Sequence, residues 1–415
     1  MLTARFRMKG IAIFATATLA LAMTATPTLA SGGFYVPTPD KGALQQIKDL
    51  VKQGHASDLS NAALLTAMVS EGHAVWFTGG TPGAVREQVK KTMRLAYAQD
   101  AVPVLVAYNL PFRDCGQYSA GGALNTADYE AWIDGFAAGI GTGKAIVILE
   151  PDGLGIIPYN TPMFAPAMEW CQPDLTGTGL TPETANAARY EQLNYAVTRL
   201  GQQANVSVYL DATHSTWLGV GEAAYRLLTA GLARADGFFL NVSNYETTAT
   251  NTIFGTWISE CLARVAAWGG YLPQYCPSQY SPPAYKVDYS QAWIDSVNAD
   301  FASDGATPRT HFVIDTSRNG LGPWTPPADK YSSGDDPQTW CNPPGRGVGD
   351  RPTANTGVPL IDAYLWVKVP GESDGSCTRS TGGTIDPEWG IVDPAAGQWF
   401  PRMALQLAQL ANPSL

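Results

Sequence analysis

Carboxylates recur in this sequence directly behind short apolar runs. Ile146-Val-Ile-Leu149 is followed at once by Glu150-Pro151-Asp152. A β-branched, wholly apolar run reads as a buried parallel strand. Pro151 cannot donate a ladder hydrogen bond, so the strand must stop near Glu150 and leave Asp152 on a turn with Gly153 and Gly155. The pattern returns along the chain. Behind other runs stand Trp76; Tyr108 with Asp114; Asp211, His214 and Trp217; Asn241 and Asn244; Asp315 and Arg318; and Lys368, Glu372 and Asp374. One acidic strand end is as readily a cap as part of a site. Acids, amides and indoles delivered by every strand to the same rim define a site. Ser119, Ser215 and Ser243 lack the Gly-x-Ser-x-Gly elbow of a serine nucleophile. Paired carboxylates among exposed indoles suit a glycosidic bond: a sugar ring stacks its apolar face on indole and offers hydroxyls to Asp, Glu, Lys, Asn and His.

The elements that must carry these residues alternate. Strand-like runs lie at Ala74–Phe77, Val102–Tyr108, Ala145–Leu149, Val206–Leu210, Gly237–Val242, His311–Ile314 and Ile361–Val367. Helical periodicity fills the gaps, at Thr81–Ala98, Thr126–Ile140, Thr181–Ala204, Gly219–Ala235, Phe254–Trp268 and Tyr289–Phe301, with a last helix near Trp399–Ala411. Alternation implies parallel strands with helical crossovers, and so many strands suggest a barrel over an open sheet. No Gly-rich phosphate loop follows the first strand, which argues against dinucleotide binding. Trp132, Trp257, Trp268 and Trp293 fall in helical patterns and are expected to pack. Glu150 is expected to support the site by hydrogen bonding, and Asp315 and Arg318 to form an internal ion pair.

Composition narrows the class. Residues 1–30 carry Arg5, Arg7 and Lys9, then the apolar stretch Ile11–Met23 and small residues, the pattern of a secretory signal peptide; residues 31–415 are expected to form one domain, an extracellular protein without an appended module. The net charge is −10 with no basic run, so neither nucleic acid nor an anionic membrane is an expected partner. The 6 cysteines are even in number and show no zinc-ligand spacing, and the 4 histidines do not cluster, so disulfides are expected and no metal or cofactor is implied. Cys261 and Cys276 are close in sequence and are expected to pair.

Several stretches then combine into a resemblance. They are Val106-Ala-Tyr-Asn-Leu-Pro-Phe-Arg-Asp-Cys115 with Ser119-Ala-Gly-Gly122, Leu149-Glu-Pro-Asp152, Tyr209-Leu-Asp-Ala-Thr-His-Ser-Thr-Trp-Leu-Gly219, Asn241-Val-Ser-Asn-Tyr245, Ile314-Asp-Thr-Ser-Arg-Asn-Gly320, Trp340-Cys-Asn-Pro-Pro-Gly-Arg346, and Leu365-Trp-Val-Lys-Val-Pro-Gly-Glu-Ser-Asp-Gly375. In this order, over nearly the whole mature chain, they resemble glycoside hydrolase family 6, secreted cellulases that cut β-1,4-glucan with inversion. The resemblance implies an α/β fold, a distorted seven-stranded parallel (β/α) barrel. It makes Asp152 the general acid, Asp114 the neighbour that keeps it protonated by like-charge repulsion, and Asp374 the proposed base, acting directly, through water or only electrostatically. Tyr108 would sit beside the distorted sugar, and Ser119 would position the water from a mobile loop. Trp76, Trp217 and Trp340 match stacking platforms; His214, Asn241, Lys368 and Glu372 match hydroxyl-binding positions; Asp211 matches a structural or substrate-contacting carboxylate. Cys115 would pair with Cys171, and Cys341 with Cys377.

Such enzymes divide by loop length into endoglucanases with open clefts and cellobiohydrolases with roofed tunnels. Asp114 to Trp132 is compact, as in open members, while Lys368 to Trp399 is long, as in tunnel members, and Val220 stands where some cellobiohydrolases place a further Trp. The reading leans to a monomeric endoglucanase acting on cellulose or related β-1,4-glucan chains, with a cellobiohydrolase as the alternative. A retaining glycosidase and a non-catalytic glucan-binding barrel are the remaining readings.

Overall fold

The computed structural model describes residues 33–163, 167–303, 305–332 and 336–415. The leader expected over residues 1–30 lies outside the described residues. The apolar runs form strands where expected: β1 (Val75–Phe77), β2 (Val104–Ala107), β3 (Ala145–Leu149), β4 (Val206–Asp211) and β5 (Gly237–Leu240). A small hairpin, β6 (Tyr280–Ser281) with β7 (Lys286–Val287), precedes β8 (His311–Asp315) and β9 (Ile361–Leu365). The seven longer strands make one parallel sheet in the order β1-β2-β3-β4-β5-β8-β9. The sheet curls until its edges meet: Ala74 N–H donates to the Trp366 carbonyl at 2.9 Å, and the Trp76 indole N–H to the Val367 carbonyl at 2.8 Å. Among the described residues no strand ladder joins β1 to β9, so the barrel is distorted there.

Side chains alternate across the strands. Val104, Val106, Ile146, Ile148, Phe239 and Val313 fill the barrel interior. Their neighbours Leu105, Val147, Leu149, Val208, Phe238 and Phe312 face the helices. Those helices are α1 (Lys41–Gln53), α2 (Ala56–Val69), α3 (Pro82–Ala98), α4 (Thr126–Ile140), α5 (Pro182–Gly201), α6 (Val220–Thr229), α7 (Thr248–Ala267), α8 (Gln291–Ala302) and α9 (Pro401–Gln409). Trp132 and Trp257 are 1% exposed in this outer layer, and Trp293 packs against it. α7 begins well ahead of the expected Phe254, because the Thr247 hydroxyl caps the Thr250 N–H and the Asn251 amide donates to the Glu246 and Thr247 carbonyls. A separate cluster joins α1, α2 and α9 to Trp366, Trp389 and Phe400. Among the described residues no helix is long and apolar enough to cross a membrane.

Register sets the rim. Leu149 lies opposite Ala107 on one side and Leu210 on the other. The next residues along, Tyr108, Glu150 and Asp211, therefore emerge side by side at the carboxyl ends of the strands, where parallel barrels place chemistry.

Candidate active site

A cleft of about 730 Å³ opens at that rim and is lined by Asp114, Asp152 and Asp374 together with Trp76, Trp217 and Trp340. Tyr108, Ser119, His214, Lys368 and Glu372 also line it. The turn bearing Asp152 is built by its neighbours. Glu150 and Asp152 both adopt left-handed backbone (φ 56° and 62°), which folds the chain sharply off β3. The buried Glu150 carboxylate accepts the Asn109 N–H at 3.0 and 2.8 Å and the Leu110 N–H at 3.1 Å, tying this turn to the loop after β2. Burial raises its pKa to about 7 against those hydrogen bonds. Glu150 thus supports the site without lining the cleft.

Asp211 grips the same turn from behind, and it does not line the cleft. One of its oxygens accepts the Leu154 and Gly155 N–H groups, each at 3.1 Å, and the other accepts Thr213 N–H at 2.8 Å. Of the two roles expected for Asp211, structural or substrate-contacting, the geometry fits the structural one and does not bear out its place among the substrate-binding residues: it is 2% exposed and accepts from three backbone N–H groups. Two buried guanidiniums hold the turn's carbonyls. Arg189 of α5 donates to Gly153 (2.8 Å), Ile156 (2.6 Å) and, across the gap, Pro111 (3.0 Å). Arg226 of α6 donates to Leu154 at 2.7 Å. A Cβ on Gly155 would stand 2.7 Å from the Trp217 ring, so only glycine lets that indole approach the turn.

Asp114 sits on a 3₁₀ turn (Asp114–Gly116) and accepts the Ser119 N–H at 2.8 Å. Burial raises its pKa, opposed by that hydrogen bond and by Arg113. Arg113 donates to the Tyr108, Thr78 and Ser119 carbonyls at 2.6, 2.8 and 2.9 Å. Asp152 is raised well above the usual carboxylate range by burial first, then by the negative charges of Asp211, Asp114 and Asp374 in that order. Like-charge repulsion from Asp114 is thus real but secondary. The Tyr108 phenol is likewise pushed far up by burial and by Asp152 and Asp114.

Asp374 has the opposite environment. Arg318 donates to its two oxygens at 2.9 and 2.8 Å, Asn342 N–H to one of them at 3.0 Å, and Lys368 Nζ lies 3.4 Å away. Burial pushes this carboxyl up, but the charges of Arg318 and Lys368 outweigh it and hold it below the usual range. The expected Asp315–Arg318 ion pair is not formed. Asp315 is saturated by the N–H groups of Ser243, Ser317, Val367 and Lys368, and Arg318 reaches past it to Asp374.

Asn241 is also corrected. It is wholly buried and spends its amide on the Glu246 and Asp315 carbonyls; Ser243 and Asn244 line the cleft in its stead. His214 lines the cleft as a neutral ring, its pKa lowered to about 4 by burial. Burial lifts Glu372 to about 7, opposed by Lys368. Trp76 meets Tyr108 edge-on at 5.3 Å, Trp217 tilts on His214 at 5.6 Å, and Trp340 on Tyr118 at 6.0 Å. The disulfides are Cys115–Cys171, Cys261–Cys276 and Cys341–Cys377. Among the described residues the one grouping with metal-like spacing is Cys377, Asp386 and Asp393. Its sulfur is committed to Cys341 and Asp386 to Arg379, so it does not fit a metal.

Tyr118 and Trp170 line the cleft outside the expected set. Tyr118 immediately precedes Ser119, a proximity that could have marked it. Trp170 stands in a stretch without periodicity, where an indole beside a half-cystine was the only signal.

A curled parallel sheet whose rim sets one carboxyl pushed up in pKa and one held down between indoles has the makings of a carbohydrate-cleaving hydrolase. Comparison narrows the class. Residues 31–411 match the family described as glycosyl hydrolases family 6. The chain is 34% identical to Endoglucanase 1 of Streptomyces halstedii, over 93% of this chain and 91% of that one. It is 32% identical to Endoglucanase A of Cellulomonas fimi over 92% of this chain, spanning 62% of that longer protein. The endoglucanase Cel6 from Mycobacterium tuberculosis, solved with methyl-cellobiosyl-4-deoxy-4-thio-β-D-cellobioside, superposes with a TM-score of 0.62 at 31% identity, covering 92% of this chain and 99% of that one. The chain belongs to glycosyl hydrolase family 6, and with that family it is a β-1,4-glucanase.

Proposed function

We propose that the protein is a secreted, inverting endo-β-1,4-glucanase whose single catalytic domain starts near residue 31. The observation that carries this reading is the opposed surroundings of two carboxyls on one cleft: burial and three neighbouring carboxylates push Asp152 up, toward its protonated form, while Arg318 and Lys368 hold Asp374 down, toward the carboxylate. Environments that push paired pKa values apart assign acid and base. The glucan chain lies across the rim on Trp76, Trp217 and Trp340, with His214, Lys368 and Glu372 meeting its hydroxyls. Asp152 protonates the glycosidic oxygen as the bond to the anomeric carbon breaks. Water, oriented by Ser119, attacks that carbon from the opposite face, which inverts a β-linkage to an α-product. Asp374 takes up the water's proton through a second water on Oδ1, which accepts only the Arg318 hydrogen bond, whereas Oδ2 accepts from both Arg318 and Asn342. Tyr108 stays protonated beside the sugar, and side chains and water suffice for every step.

Endo attack is supported by the fate of the long segment after Lys368. Trp389 and Phe400 sink into the α1–α2–α9 cluster, and only Ala396 and Gly397 of its distal half line the cleft. The rest of that half lies outside the cleft lining, largely at the surface. One contact favours a cellobiohydrolase. The Tyr118 hydroxyl accepts from Thr378 N–H at 3.2 Å and from the Gln338 amide at 3.1 Å, a strap between the loops after β2 and β9.

The test is Asp152→Ala. Turnover of unactivated β-glucan should fall by roughly 10²–10⁴-fold while oligosaccharide binding persists; near-normal turnover overturns the assignment. Proton NMR of the first product should give the α-anomer, and a β-anomer removes inversion. Viscosity of carboxymethylcellulose should fall steeply before reducing ends accumulate, whereas the reverse order selects the cellobiohydrolase.

A further inference from the structure

Trp170 is set apart from the structural indoles of this protein. Trp132, Trp257, Trp366 and Trp389 are at most 4% exposed, and their N–H groups donate to Gly79, Asn298, Asp350 and Asn342. Trp170 is 53% exposed and faces the cleft. Among the described residues its N–H has no protein acceptor, as with Trp217 and Trp340 in the cleft and Trp268 and Trp324 outside it, so its exposure toward the cleft is the feature that sets it apart. An indole with a free face and a free N–H on a cleft wall can stack on a sugar ring and donate to a hydroxyl.

The backbone beneath Trp170 is fixed on both sides. Glu169 forms an ion pair with buried Arg226 at 2.5 Å, and its N–H donates to the Asn160 carbonyl at 2.7 Å. Cys171 is bonded to Cys115, and its carbonyl accepts Tyr159 N–H at 2.8 Å. The indole is therefore exposed on an anchored segment. Preorganisation of this kind lowers the ordering cost of binding. The same disulfide couples the platform to the turn of Asp114, and Arg226 couples it to the turn of Asp152.

We infer that Trp170 is a further stacking platform for the glucan chain, on the wall of the cleft built by the segment between Asp152 and α5. Trp76, Trp170 and Trp217 all line one cleft; strand order sets Trp76 on β1 and Trp217 behind β4 on either side of β3, and the segment that follows β3 carries both Asp152 and Trp170. The inference rests on the glucanase reading and adds a residue that sets chain-length preference.

The experiment measures KM and kcat for cellotriose through cellohexaose in wild type, Trp170→Ala and Trp170→Phe. The ratio of variant to wild-type KM should climb with chain length for the alanine variant and reach about tenfold for cellohexaose, the loss expected of an anchoring aromatic. Phenylalanine should restore most of it, and kcat should change less than KM. An alanine variant whose loss is uniform across lengths, or confined to kcat, is structurally damaged and overturns the platform. So does an unchanged KM for cellohexaose. If the wild type itself hydrolyses none of these oligosaccharides, the underlying glucanase reading fails first, and that result is distinguishable from every other.

Discussion

Arg318 bonds both oxygens of Asp374 through one guanidinium nitrogen, at 2.9 and 2.8 Å, and both residues are almost wholly buried. A second nitrogen of Arg318 donates to the Ser243 carbonyl. The ion pair therefore fastens the loop after β9 to the loop after β5 and keeps a carboxylate ionised next to a carboxyl that must stay protonated. Lysine cannot reproduce this, because it is a point charge without the planar fork. For Arg318→Lys the carboxyl of Asp374 moves upward, so the acidic limb of the kcat/KM profile shifts to higher pH. The plateau rate should fall about 100-fold, as when a preorganised electrostatic group is removed. A pH–rate series on the variant checks both.

Asp152 makes the complementary case. Burial is the first cause of its raised pKa, and Asp211 outranks Asp114 among the charges. Asp211→Asn removes one of those charges and lowers the pKa of Asp152. A general acid works only while protonated, so the basic limb of the profile moves to lower pH. Asp114→Asn should move it the same way by a smaller amount. The ordering of the two shifts, read from the same profile, is the test, and a larger shift for Asp114→Asn would reverse it.

What the sequence reveals of this site depends on where the information sits. The strand ends are legible because an apolar β-branched run broken by Glu150-Pro151-Asp152 states both the strand and its stop. The matched blocks carry the cleft residues for the same reason. Arg189 and Arg226 are not legible. Each lies in a helical pattern, where arginine normally reads as solvent-facing, and only the tertiary fold shows their guanidiniums turned onto the acid's turn. Asn241 misleads because it adjoins the cleft in sequence yet points the other way; its left-handed backbone (φ 70°) turns the chain so that Ser243 and Asn244 emerge. Arg318 misleads because its sequence neighbour Asp315 is already satisfied by backbone, so the nearer acid is not the partner.

The second carboxyl pair lies under the loop after β9. Asp393 accepts the Asn342 amide at 2.9 Å and faces Asp386, which is paired with Arg379 at 2.8 Å. Burial, then a hydrogen bond to Asp386 and that residue's charge, raise Asp393 from 3.8 to about 7 against the Asn342 hydrogen bond and the charge of Arg379. A folded-state pKa raised above the unfolded one gives stability that is complete at low pH and is lost as pH rises from about 4 through about 7. A neutral amide in place of this carboxyl mimics the protonated acid at every pH. Asp393→Asn should therefore flatten the fall in thermal midpoint between pH 5 and pH 8, compared by calorimetry with wild type. An equally steep fall in the variant would place the pH sensitivity elsewhere.

The disulfides separate stability from geometry. Cys115–Cys171 spans 56 residues and Cys261–Cys276 spans 15. On loop-closure grounds their removal should cost about 4 and about 3 kcal/mol respectively, so Cys115→Ser with Cys171→Ser and Cys261→Ser with Cys276→Ser should lower thermal midpoints by similar amounts. Their effects on catalysis should differ. Cys115 follows Asp114 in a turn where both residues hold left-handed backbone, at φ 56° and 47°. Freed from Cys171, that turn can relax, moving the carboxylate and the Ser119 N–H that bonds it at 2.8 Å. Cys261 and Cys276 join α7 to the short turn beside α6, outside the residues that line the cleft. At a temperature where both double variants remain folded, the first should lose at least about tenfold in kcat per folded molecule, since misplacement by an ångström at a reacting centre is costly. The second should retain wild-type kcat. Equal kcat in the two variants would mean that the Asp114 turn holds its shape without the bridge.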